Sequence, residues 1–261
     1  MFRTLTVTAL IAYASAQSLS QQCTATLAAI AGNPDAASCL SPGSLVSIVA
    51  GGSSNSIVAS IDGWLSNICG APACSNDTLA AVVKNATEGC STELSGLGFN
   101  SNLTPTITGL VQQYYPTVRK VVCLKDGDSN CITKTLGDVE ATFGTLNLQN
   151  IIKIVTNPPD DLPANITCTN CVKAAYNVIA QDVPGLVSDT SAGLQQQCGA
   201  DFTDGQTPTG ISQSANTNVA SSPSTSNGAA LSTLTSLNGG IVGGLAVSGL
   251  VAVASAFTLL A

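Results

Sequence analysis

The stretch CGAPACSNDTLAAVV, residues 69–83, sets two cysteines in a short Gly/Pro loop, then a polar run, then an apolar series. Ser75 and Asn76 are N-cap residue types, able to accept from the orphan N–H groups of a first helical turn. Behind them Leu79, Val82, Val83, Ala86 and Cys90 recur at three and four residues, the spacing of one helix face. The order of cysteines, cap and helix returns twice. In CLKDGDSNCITKTL (123–136) one of Asp128, Ser129 and Asn130 caps a stripe of Ile132, Leu136, Val139 and Phe143. In CTNCVKAAYNVI (168–179) Thr169 or Asn170 caps Val172, Ala175, Tyr176, Ile179 and Val183.

Outward from these blocks the helical period continues. Ile107, Leu110, Val111, Tyr114, Val118, Val121 and Val122 form another stripe, and Ile57, Ile61, Leu65 and Ile68 a weaker one. Pro116 falls inside the longer stripe, which predicts two short helices or one kinked helix. Long alternating strands are not evident. The expected fold is all-α, a disulfide-stapled bundle of short helices over residues 17–200, with a degenerate repeat of about fifty residues in its cysteine and capping pattern.

The ten cysteines are Cys23, Cys39, Cys69, Cys74, Cys90, Cys123, Cys131, Cys168, Cys171 and Cys198. The chain opens MFRTLTVTALIAYASA, with one charge at Arg3, a short apolar core and small residues before Ala16, which predicts a signal peptide over 1–16. An even cysteine count behind such a signal predicts disulfides, five in principle, with the pairing open. Aromatic residues are only 4% of the chain, so the core has modest side chains to bury. Each bridge adds about 2–4 kcal/mol by restricting the unfolded chain.

After Cys198 the composition turns to Ser, Thr, Asn, Gly and Pro, and residues 201–227 read as an extended stalk carrying plausible O-glycosylation sites. Small residues Asn227, Gly228 and Ala229, a weakly polar spacer and a terminal apolar run have the layout of a GPI-attachment signal. Asn227 is the expected attachment residue, with Ser226 and Gly228 as neighbours, and 228–261 the discarded propeptide. The competing reading is a transmembrane helix over about 241–261, long enough to span but without a charged cytoplasmic stop.

Charged residues are 9% of the chain and the net charge is −7, which leaves no basic stripe and excludes a nucleic-acid partner. Sequons at Asn76, Asn85, Asn102 and Asn165 predict N-linked sugar, with Asn102 the weakest acceptor because Pro105 follows it. The chain has no histidine, which removes Ser-His-Asp and Cys-His catalysis and the usual zinc hydrolase ligands. Cys168 and Cys171 have C-x-x-C spacing at a helix start, and with Cys69 and Cys74 they have zinc-compatible spacing. Eight cysteines besides the C-x-x-C pair favour structural pairing over redox activity, and an oxidising secretory context disfavours zinc.

Asp126, Asp128 and Asn130 open like a calcium loop, but Cys131 and Gly137 stand where a turn glycine and a bidentate Glu belong. Asp160 with Asp161, and Asp138 with Glu140, show no convergence across a sugar. Trp64 and Tyr114-Tyr115 could stack on a ligand but fit an apolar stripe better. No catalytic, metal or cofactor-binding residue is expected.

The blocks ICGAPACSNDTLAAVV (68–83), VQQYYPTVRKVVCLKD (111–126) and CTNCVKAAYNVI resemble a family of secreted, GPI-anchored, cysteine-rich proteins of mushroom-forming fungi, with a domain of unknown function. The resemblance spans Cys23 to Cys198 and implies no catalytic residue. The expected role is that of a non-enzymatic surface or cell-wall glycoprotein, tethered to the membrane through its GPI anchor, with cell-wall glycan as a candidate partner. A binder of small apolar ligands such as lipid or sterol is the alternative, and a carbohydrate-active enzyme the third. The sequence leaves oligomeric state open.

Overall fold

A computed structural model of the chain describes residues 20–45, 55–96, 98–147, 150, 151, 153, 154, 157, 159 and 162–220. The expected signal peptide with Ala16, the attachment residue Asn227, the propeptide 228–261 and the pair Asp160 and Asp161 lie outside those residues.

The described chain is mostly helical: α1 (Gln21–Gly32), α2 (Pro34–Leu40), α3 (Val58–Gly70), α4 (Asn76–Gly89), α5 (Ser91–Gly96), α6 (Thr104–Val122), α7 (Cys131–Phe143), α8 (Ala164–Thr167), α9 (Asn170–Asp182) and α10 (Ser191–Cys198). The helical expectation holds for the described residues, and the structure adds one small sheet to it. Strands β1 (Leu124–Asp126), β2 (Ser129–Asn130) and β3 (Ile211–Gln213) pair antiparallel in the order β2-β1-β3. Gly127 and Asp128 turn β1 into β2, and Gly127 has φ 60, the positive value a type II′ hairpin asks of its first central residue. The stretch that reads like a calcium loop is therefore a hairpin.

Three caps fix three helix starts. The side chains of Ser75, Asn130 and Thr169 accept from the N–H groups of Thr78, Ile132 and Val172, so α4, α7 and α9 begin where the cysteine loops end. Asn33 serves two helices, closing α1 and accepting from Ala36 N–H at the start of α2. Pro116 sits within α6, which continues through it as one helix. The proline removes one donor from the ladder, while neighbouring Thr117 and Arg119 are buried and held by tertiary contacts.

The bridges join Cys23 to Cys90, Cys39 to Cys74, Cys69 to Cys123, Cys131 to Cys171 and Cys168 to Cys198. Each cysteine loop sends one sulfur back along the chain and one forward: Cys74 and Cys69, Cys123 and Cys131, Cys171 and Cys168. No bridge crosses residues 124–130, so the chain forms two covalently closed halves, 23–123 and 131–198, joined by the hairpin.

Each of four small apolar clusters contains cystine sulfur. Cys39 and Cys74 pack with Leu79, and Cys69 and Cys123 with Leu65, Ile68 and Val122. Cys131 and Cys171 pack with Val121, Leu124, Ala174 and Ala175. Ile166, Val172, Tyr176, Leu194 and Phe202 pack against Cys168 and Cys198. Sulfur here does part of the filling that large aromatics do elsewhere.

The domain also runs past its expected boundary. Residues 200–220, read from composition as the start of a stalk, form a 3-10 turn (Ala200–Thr203), β3 and a strap over the first half. Ser214 N–H donates to Cys123 O at 3.0 Å, Asn216 N–H to Cys69 O at 2.8 Å and Ala220 N–H to Ala73 O at 2.8 Å. These are main-chain bonds between distant segments, which composition does not report.

Candidate functional site

The reactive-cysteine and zinc readings are both removed by the pairing. Cys168 and Cys171 belong to different bridges, as do Cys69 and Cys74, and the chain has no free cysteine. No thiolate is left to act as nucleophile or ligand. Glu93 lies beside the Cys23–Cys90 sulfurs, but those sulfurs are bonded to each other and offer no metal site either.

Several carboxylates are engaged in structure. Ser20 N–H donates to Glu93 Oε1 at 2.6 Å and holds that carboxyl below its usual range, with the Ser20 hydroxyl assisting. Glu93 Oε2 is buried without a hydrogen-bond partner among the described residues. The Ser56 hydroxyl and then Leu146 N–H lower Glu140, which ties the entry of α3 to the exit of α7. Lys120 lowers Asp182, opposed by partial burial and helped by the Thr117 hydroxyl, so α6 is pinned to the end of α9. Asp204 is lowered by Gln206 N–H and then by Lys173, with which it pairs at 2.9 Å. Asp126 pairs with Lys134, and Asp62 accepts from the Thr133 hydroxyl. Asp138 and Glu140 do not converge, since the Glu140 carboxylate is engaged on Ser56 and Leu146.

The aromatic candidates are partly built into the domain. Trp64 packs beside Leu65 and Cys123 and donates its indole N–H to Leu40 O at 2.9 Å. Tyr115 packs against the Cys39–Cys74 cluster, where its hydroxyl accepts from Cys74 N–H at 3.0 Å. Neither side chain is left to stack freely on a ligand.

An open groove of roughly 490 Å³ lies between α1 and α4. Its walls are Gln22, Thr26, Asn33, Asn85 and Glu88 with only Ala29, Ile30 and Gly89 between them, which does not suit a lipid or sterol tail. The helices nearly touch at its end. A Cβ on Gly89 would lie 2.0 Å from Thr26 Oγ1 and 2.5 Å from Thr26 Cβ, so this position admits only glycine.

No family model, curated protein or solved structure matches this chain.

The four sequon asparagines, Asn76, Asn85, Asn102 and Asn165, are all exposed. Sugar on any of them would extend into solvent without displacing the core. Among the described residues no helix is long and apolar enough to cross a membrane.

The residue that composition and spacing pass over is Arg119. It is 6% exposed, and its guanidinium has no carboxylate partner among the described ion pairs. It donates from Nη1 to Ile68 O at 2.7 Å, and from Nη2 to Ala71 O and to Asn216 O at 3.3 Å. The first two carbonyls end α3, where the helix dipole favours a cation; the third belongs to the strap. Arg119 thus clamps α6, α3 and the strap together around the Cys69–Cys123 bridge. One signal was available: apart from Arg3, it is the chain's sole arginine.

Proposed function

We propose that this chain is a non-enzymatic, glycosylated cell-surface protein, a sulfur-stapled helical domain displayed on a Ser/Thr-rich stalk by a C-terminal GPI anchor. Its role is structural or one of surface interaction, at the outer face of the plasma membrane or in the cell wall. The observation that carries the reading is the sealing of all ten cysteines into five bridges, which suits an oxidising compartment. Two features add support: carboxylates that serve as internal ties, and sequon asparagines that face solvent. The resemblance to anchored cysteine-rich fungal proteins points the same way.

In this reading the strap belongs to the domain, whose last described residues lie beside Ala73, and the stalk is the Ser/Thr-rich sequence that follows. The test is release of the protein from intact cells by phosphatidylinositol-specific phospholipase C, with and without prior glucanase, followed by mass measurement of the C-terminus. Anchor sugar on Asn227 or a neighbour is the expected result. A mature protein that still ends at Ala261 sinks the reading.

A further inference from the structure

The four sequons share a geometry that bears on when they can be used. Asn76-Asp77-Thr78 and Asn85-Ala86-Thr87 lie within α4, and Asn165-Ile166-Thr167 within α8. Asn102-Leu103-Thr104 spans a 3-10 turn and the first residue of α6. Two residues along an α-helix is a rotation of about 200°, so the asparagine amide and the threonine hydroxyl face opposite ways. Each asparagine is exposed while each threonine hydroxyl is engaged. Thr78 is 9% exposed and bonded to Ser75 at 3.0 Å; Thr167 is 1% exposed and donates to Pro163 O at 3.3 Å. Thr104 donates to Thr87, which donates in turn to Lys84 O, so two sequons lock each other across α4 and α6.

Sugar transfer requires both groups at one enzyme site. The asparagine side-chain nitrogen attacks C1 of an N-acetylglucosamine carried on a polyprenyl pyrophosphate. The N–C1 bond forms as the C1–O bond breaks, the pyrophosphate leaves with the electron pair, and the amide proton passes to a base. The threonine hydroxyl two residues on is read at the same time.

We propose that these sequons accept sugar only before their helices form, and that closure of Cys39–Cys74 and Cys131–Cys171 limits occupancy at Asn76 and Asn165. This rests on the glycoprotein reading above. Cys74 lies two residues before Asn76, and its partner is 35 residues behind it; Cys171 lies six residues after Asn165, with its partner 40 behind. In both cases the partner has already entered the lumen when the sequon arrives. Near Asn85 the corresponding bridge, Cys23–Cys90, must close a longer span of 67 residues. Asn102 has no cysteine between Cys90 and Cys123 and escapes this control.

The test has two arms. Full chain made without sugar, once with bridges formed and once reduced and alkylated, is given to an oligosaccharyltransferase with its polyprenyl-pyrophosphate-linked donor. Transfer to the reduced chain is expected to be at least about tenfold faster at every site that reacts. Equal rates overturn the proposal and leave the glycoprotein reading standing; no transfer to the reduced chain sinks that reading itself. In pulse-labelled cells, where folding outcome does not matter, Cys39→Ser raises occupancy at Asn76 and not at Asn165, and Cys131→Ser does the reverse. Full occupancy of both asparagines in the unaltered chain, or equal response of all four sites, refutes control by the bridges.

Discussion

Replacing Arg119 with methionine tests the clamp most directly, because it keeps much of the side-chain volume and removes every donor. A hydrogen bond from a charged group contributes about 1.5–3 kcal/mol, and a buried carbonyl left without a partner costs about 1–3 kcal/mol. The Ile68 bond, at 2.7 Å and buried, counts in full. The bonds to Ala71 and Asn216 are partly buried, so water recovers some of each. The expected loss is about 3–5 kcal/mol, the sum of these bonds after that recovery. In a domain of this size that lowers Tm by about 10 °C.

The assay is denaturant unfolding of the oxidised protein, with hydrogen exchange at the Ser214 and Asn216 amides read in parallel. Both amides should lose protection before the rest of the domain. Arg119→Lys should retain part of the stability, since an ammonium can reach some but not all of three carbonyls set around a planar fork. If Arg119→Met unfolds within 1 kcal/mol of the unaltered protein, and the strap amides stay protected, the clamp has been misread.

Other outcomes follow from the same contacts. Gly89→Ala should cost about 1–3 kcal/mol by forcing α1 from α4, and adding Thr26→Ala should rescue it only in part, because the Thr26 Cβ itself lies 2.5 Å from the new methyl; full rescue would contradict the geometry in a thermal melt. The folded-state pKa values of Glu140, Asp182 and Glu93 are depressed, so their contribution is present above the unfolded carboxylate values of about 4 and fades as pH falls through the folded ones. Acid unfolding should therefore be displaced toward neutrality in Glu140→Gln, and an unchanged acid midpoint would count against the tie to Ser56 and Leu146. Removing Cys69 and Cys123 together should cost about 4 kcal/mol for a loop of 54 residues, measured by denaturant midpoint. Non-reducing peptide mapping should find Cys168 and Cys171 on different partners, and a bridge between those two would overturn the wiring.

Local signals were legible where local chemistry decides. Ser75, Asn130 and Thr169 cap helices because an oxygen two or three residues upstream of an orphan N–H needs nothing from the rest of the chain. The stripes on α3, α4, α6, α7 and α9 likewise announce a buried face. The hairpin was hidden because β1 is only three residues long, and its second partner, β3, comes from far along the chain. The strap reads as linker because Ser214 and Asn216 bond through main-chain N–H groups, which every residue but proline carries. Arg119 sits among valines that dominate its stripe, and its partners are carbonyls, which no side-chain pattern marks. The pairing of the sulfurs depends on how the helices dock, and ten cysteines in sequence leave that open.

The hairpin at Gly127 has a last consequence, for proteases. Cutting the backbone elsewhere between Cys23 and Cys198 leaves the two pieces tied by a disulfide, so a nicked molecule stays whole. A single trypsin cut after Lys125, inside the one interval that no disulfide crosses, would leave an amino-terminal fragment and a carboxyl-terminal fragment held by noncovalent contacts alone: the Val121 cluster, the ties at Glu140 and Asp182, β3 and the strap. Denaturant without any reductant would then part them.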